Sequence, residues 1–313
     1  MFILLPTLSI VLRVITKYAR LGTWGPDDYT ILGAYVPLLG YTCILAYLEN
    51  HGAGRDLWTL NHGQIYTYFK CLYALQPIYH CCIDMIKASI LFSYLRIFHL
   101  PDEKIRIALW VTMAINLMSG LAFIFVSMFQ CQPVSLAWTR WTGETTGNCI
   151  NFIYISMSHA GINIALDLWM LILPASQVWS MNLALRKKIA VMSMFSLGLF
   201  LTIVSAVRIS ALMEFRKDPL NPTVAMLPTV VWTAIELYVG VFTACIPNLR
   251  QFFVRFILGR SEKKERLASV NSGYARGSRS APKPRVLTQQ FDALETIDES
   301  NLSSPCQKSM INV

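Results

Sequence analysis

Residues 107–129 read I-A-L-W-V-T-M-A-I-N-L-M-S-G-L-A-F-I-F-V-S-M-F, without a single charge. At 1.5 Å per residue, a helix of that length reaches about 35 Å, enough to cross a hydrocarbon core of about 30 Å. Inside lipid every backbone N–H and C=O must be satisfied within the segment, so the stretch reads as a transmembrane helix. Working outward, 29–48 and 189–207 are equally free of charge, and 230–249 holds only Glu236. Two further apolar stretches carry internal charges: 71–95 has Asp84 and Lys87, and 152–173 has Asp167. A seventh begins at the N-terminus. It is apolar to Leu12, continues to about Ala19, and carries Arg13 and Lys17. Its positive charge follows the apolar run, the reverse of a signal peptide, so a first span is expected, with Arg13 snorkelling to the head groups.

The composition agrees. The chain of 313 residues is 54% hydrophobic and 14% charged, with mean hydropathy +0.46. Soluble domains carry about a quarter charged residues. A soluble enzyme, a disordered chain and a coiled coil are therefore excluded. The net charge is +9, from 27 Lys and Arg against 18 Asp and Glu. In a membrane protein that basicity points to cytoplasmic loops and anionic lipid, not to nucleic acid.

The expected architecture is all-α: seven transmembrane helices near 1–19, 29–48, 71–95, 107–129, 152–173, 189–211 and 228–249. The membrane domain is 1–258, followed by a disordered basic tail, 259–313. Lys and Arg set the orientation. With the N-terminus outside, the inner side collects Arg13, Lys17, Arg20, Arg96, Lys104, Arg106, Arg186, Lys187, Lys188 and the basic start of the tail, while the outer loops hold Arg55, Lys70, Arg140, Arg216 and Lys217. The C-terminus is then cytoplasmic, and the acceptor motif at Asn301 faces the side where it is not glycosylated.

Charges within spans are costly and need partners or a wet cavity. Lys87 and Asp167 lie at the same depth, about 22–24 Å below the outer ends of the third and fifth spans. Arg208 and Glu236 share the outer halves of the sixth and seventh. The expected pairs are Lys87–Asp167 and Arg208–Glu236, with Asp84 beside Lys87 at i, i+3. These five residues form an intramembrane charge centre, either a ligand-responsive polar core or static interhelical glue. His80 and His159 also match in depth. With Asp84 they are a weak zinc set, against the ordinary reading of hydrogen-bonded histidines. No metal, cofactor or catalytic motif is expected.

Asp27 and Asp28 follow Pro26 at the start of the second span. They suit helix capping, or docking of a cytoplasmic partner. Arg96, Arg106, Lys187 and Lys188 would face the same partner. Three outer thiols, Cys71, Cys131 and Cys149, allow three pairings.

Local patterns recur in a telling order. Arg13 to Gly22 reads R-x3-K-x2-R-L-G, before an Asp-Asp pair. Lys87 to Phe98 reads K-A-S-I-L-F-S-Y-L-R-I-F, and Cys131 to Trp138 reads C-Q-P-V-S-L-A-W, before G-N-C at Gly147. Asn163 to Trp179 reads N-x3-D-L-W-M-L-I-L-P-x4-W. S-L-G at Ser196 and V-R at Val207 follow, then V-W-T-A-I-E from Val231 and C-I-P-N-L-R from Cys245. Over about residues 10–258 the chain resembles the fungal rhodopsin-like domain family of integral membrane proteins. That family includes receptor-like proteins and members encoded in secondary-metabolite gene clusters. The resemblance implies seven helices and a Cys131–Cys149 disulfide. It does not imply retinal, because a Schiff base needs a lysine amine and Leu227 to Leu249 has none.

The expected function is a receptor-like protein, placed in the plasma membrane, that senses a small extracellular or membrane-derived ligand and signals to a cytoplasmic partner such as a heterotrimeric G protein. The alternatives are a carrier of a small metabolite and a membrane-embedded enzyme of a secondary-metabolite pathway.

Overall fold

The computed structural model describes residues 3–18, 24–97, 103–143, 146–180, 185–217 and 221–252. The tail, 259–313, lies outside them. Among the described residues the fold is α-helical except for one two-residue ladder. The helices are α1 (Leu4–Tyr18), α2 (Pro26–Asn50), α3 (His62–Ile97), α4 (Glu103–Met128), the short α5 (Leu136–Thr139), α6 (Phe152–Ser180), α7 (Leu185–Lys217), the short α8 (Pro222–Ala225) and α9 (Leu227–Phe252). Seven of these are long, and each overlaps one expected span. Five segments are long and apolar enough to cross a membrane: Pro26–Asn50, His62–Arg96, Glu103–Met128, Phe152–Ala175 and Pro222–Pro247. The chain is an all-α polytopic membrane protein.

The helices are turned inside out relative to a soluble bundle. In α1 the buried face is Pro6, Ser9, Ile10, Arg13, Thr16 and Lys17, while Leu4, Leu5, Leu8, Val11 and Ile15 are exposed. That is the i, i+3, i+7 spacing of one helix face, with the polar side chains inside. On α4 the exposed face is equally apolar, including Trp110, Leu117, Met118 and Phe125. In water such a surface would drive association; in lipid it is solvated.

Helix α3 is central and packs against α2, α4 and α9; α9 also packs against α1 and α7, and α6 against α7 and α4. The main core lies between α2, α3 and α9, with Ile31, Leu38, Tyr41, Cys82, Leu237 and Val241 buried. At 36 residues, α3 is about 54 Å long. It is longer than a hydrocarbon core is thick, and it also packs against the loop helix α5.

At one end of the bundle, β1 (Cys131–Gln132) pairs antiparallel with β2 (Asn148–Cys149), placing Cys131 opposite Cys149. These two residues form a disulfide, the pairing that the family resemblance implied, and Cys71 is free. Asn221 ties the neighbouring loops by donating from Nδ2 to Asp56 Oδ1 at 2.6 Å and accepting from the Leu57 N–H at 3.2 Å.

Asp84 stands on α3 at i, i+3 from Lys87, outside the ion pairs. It makes no ion pair with Lys87; its side chain lies against Gly120 of α4, where an added Cβ would overlap the carboxylate. Asn116 Nδ2 donates to the Asp84 carbonyl at 3.1 Å on the same face. Lys87 is drawn instead toward α6, which leaves Asp84 to the α3–α4 contact. Gly120→Ala is expected to destabilise the protein by about 1–3 kcal/mol through overpacking. Asp84→Ala in the same chain should recover most of that loss. Melting of both single variants and the double variant in detergent checks this, and equal losses in the Gly120→Ala chain with and without Asp84 would refute it.

Candidate functional site

At the disulfide end the bundle encloses a cavity of about 460 Å³. Its mouth is formed by Gln130, Arg140, Cys149 and Asn151 from the loop, and its walls by side chains of α2, α3, α6, α7 and α9. The walls are mainly aromatic and aliphatic. The floor is polar, with Tyr79, His80, His159, Arg208 and Thr233. That volume and that distribution are those of a small-molecule site.

Both depth-matched charge pairs come together beneath this floor. Arg208 Nε lies 2.8 Å from Glu236 Oε2. The N–H is not aligned on the oxygen, so the contact is an ion pair rather than a full hydrogen bond. Glu236 is otherwise saturated. Its Oε1 accepts from Asn163 Nδ2 at 2.9 Å and Ser205 Oγ at 2.6 Å, and its Oε2 accepts from Tyr79 Oη at 3.1 Å. The Arg208 guanidinium also stands 5.0 Å from the Tyr79 ring centroid. One turn along α6 from Asn163, Asp167 Oδ1 lies 3.0 Å from Lys87 Nζ, and the same ammonium donates to the Asn163 carbonyl at 2.9 Å. Asn163 therefore joins the two ion pairs into one network across α3, α6, α7 and α9. Four donors or charges thus converge on one buried carboxylate, which leaves neither of its oxygens unpartnered.

Asn163, Tyr79 and Ser205 were not singled out from the sequence for this role. A signal was present: Asn163 stands four residues before Asp167, and Ser205 three before Arg208, which puts each on its partner's helix face.

His80 and His159 do meet, with ring centroids 4.2 Å apart, and Phe123 and Tyr79 complete an aromatic surround. Asp84 is not with them. Among the described residues no three His, Cys, Asp or Glu side chains gather as a metal site. The Nδ1 atoms of both histidines and Thr229 Oγ1 are buried without hydrogen-bond partners. Lys87 does not line the cavity.

At the opposite end a second charge cluster corrects two expectations. Arg13 does not snorkel; it is 2% exposed. Its Nη2 donates to Asp27 Oδ2 at 2.6 Å, its Nε to Asp28 Oδ1 at 2.7 Å and its Nη1 to the Ala244 carbonyl at 2.8 Å. Lys17 Nζ lies 3.0 Å from Asp28 Oδ2, and Arg96 Nη1 lies 3.0 Å from Asp27 Oδ1. Asp28 Oδ2 also accepts from the Gly25 N–H at 3.0 Å, the capping role read from the sequence. Asp27 and Asp28 are thus buried and neutralised, so they present no carboxylate for a cytoplasmic partner. Arg96, only partly exposed, is turned onto them. The reason is that α1, α2 and α3 converge here, and internal counter-charges are nearer than the head groups. Arg106 is exposed on α4. The side chains of Lys187 and Lys188 lie outside the described residues.

The fungal rhodopsin domain matches residues 12–255, and the chain belongs to that family. It is 30% identical over 241 residues to a SAT4 family membrane protein of Emericella nidulans, covering 75% of this chain and 59% of that protein. It is 24% identical over 285 residues to a protein of Arthrobotrys oligospora named Receptor GIN3, covering 90% of this chain and 67% of that one. It is also 24% identical over 174 residues to Fugralins biosynthesis cluster protein 2 of Gibberella zeae, covering 54% and 42%. The chain thus spans only about half the length of the first and last of these relatives. No solved structure matches.

Proposed function

We propose that this member of the fungal rhodopsin domain family is a receptor-like protein of the plasma membrane, with seven spans, the N-terminus outside and the C-terminus cytoplasmic. A small ligand enters the cavity from the disulfide side and reaches the floor. The observation that carries this reading is Arg208, which both lines the cavity and belongs to the network joining four helices. A ligand that alters the Arg208–Glu236 contact alters Asn163 and, through it, the Lys87–Asp167 pair, and so the packing of α6 on α3. Binding shifts a conformational equilibrium by its differential contacts with the two states. The likeness to a protein named as a receptor supports the reading, and the exposed Arg106 supplies a basic contact for an intracellular partner.

The test is co-purification. Tagged full-length chain from a fungal host in mild detergent is expected to bring down a G-protein α subunit, released by a GTP analogue. Folded chain that recovers no α subunit from membranes containing it would overturn the coupling, and label uptake into vesicles would then test the carrier reading.

A further inference from the structure

We infer that the cavity takes an anionic amphiphile, a molecule with a carboxylate or phosphodiester head and a largely apolar body, and that Arg208 receives the head. The inference rests on the cavity being the ligand site. Among the described residues the charged members of its lining are both arginines, Arg208 and Arg140, and no Asp, Glu or Lys lines it. Arg208 is 5% exposed, and its Nη2 has no hydrogen-bond partner. A buried guanidinium N–H without an acceptor is expensive, and this one belongs to a residue facing a void.

Glu236 approaches the guanidinium at Nε and makes no hydrogen bond to Nη2. It stands behind Arg208, outside the lining. Its oxygens are already occupied by Tyr79, Asn163 and Ser205. A guanidinium presents five donors in a rigid fork, so its Nη2 edge can take a second acceptor while Nε keeps the first. Above the floor, Phe69, Leu72, Leu75, Phe152, Leu212 and Val230 supply apolar walls for the body. His80, His159 and Thr229 also line the cavity and add polar character to it. An ammonium head would meet two arginines and no carboxylate. A hydroxyl head would gain a neutral hydrogen bond where a carboxylate gains a charge-assisted one.

The head can arrive from water or from the bilayer, and one experiment separates the sources. The full chain is reconstituted in nanodiscs of phosphatidylcholine and titrated with 4-phenylbutyrate, 4-phenylbutanol and 4-phenylbutylamine, which differ only at the head. Equilibrium dialysis is expected to give the acid about tenfold tighter binding than the alcohol, as a charge-assisted bond allows, and the amine weaker still. In the double variant Arg208→Gln/Glu236→Gln, which removes both charges together, the acid loses that preference. In a second arm without probe, phosphatidylglycerol replaces part of the phosphatidylcholine. A rise in melting temperature in the parent chain but not in the double variant identifies a lipid head group as the anion. Equal binding of all three heads, with no Arg208-dependent effect of phosphatidylglycerol, overturns the anion inference and leaves the cavity as a ligand site. Binding of none, with no lipid effect, overturns both.

Discussion

Glu236→Ala is expected to remove most of the folded protein from detergent extracts. Glu236 is 1% exposed, receives three hydrogen bonds and pairs with Arg208. Truncation leaves a buried guanidinium without its counter-charge and leaves Tyr79, Asn163 and Ser205 without an acceptor. Breaking a buried pair from one side costs about 3–5 kcal/mol. Whole domains are stable by only about 5–15 kcal/mol. Arg208→Gln alone should be nearly as harmful, because it strands the carboxylate. The double variant Arg208→Gln/Glu236→Gln should melt above either single variant, since no net charge remains buried. Size-exclusion profiles and melting curves of the four chains provide the measurement. Glu236→Ala melting like the parent chain would mean that the network contributes nothing to stability.

Arg13→Ala should cost a similar amount, about 3–5 kcal/mol, through a different failure. Arg13 holds both α2, through Asp27 and Asp28, and α9, through the Ala244 carbonyl. Without it α1 keeps Lys17 against Asp28, and its outward face gains nothing from leaving lipid. The expected result is a lower melting temperature together with faster proteolysis between α1 and α2. Arg13→Lys should not rescue it, because an ammonium on a flexible stem cannot meet three acceptors in a planar fork. If Arg13→Lys matches the parent chain, the fork geometry is irrelevant and simple charge neutralisation explains the cluster.

The two charge clusters were legible to different degrees. Lys87–Asp167 and Arg208–Glu236 could be matched from sequence because depth follows from residue count at a constant rise, and charges at equal depth have few other partners. Asp84 could not be placed that way. At i, i+3 it shares a face with Lys87, yet Lys87 is drawn to α6 and Asp84 turns to the space left by Gly120. Arg13 was misread because local sequence shows only its distance from the end of an apolar run. Its acceptors come from α2 and from the α9 backbone, and nothing near Arg13 announces them.

By itself the sequence determined the class of solvent and where the long apolar helices run, though not their limits: α3 begins at His62, nine residues before the expected span. Lipid forces the backbone to satisfy itself within each segment, so apolar length translates directly into helix. The azimuth of each helix is a property of the packed bundle. Only the tertiary structure decided that azimuth, and with it which polar side chains converge, that Asn163 links the two ion pairs, that Asp27 and Asp28 are buried, and that a cavity opens over Arg208. Each of these depends on how helices far apart in the chain turn their faces toward one another, a rotation that periodicity within any single helix leaves undetermined.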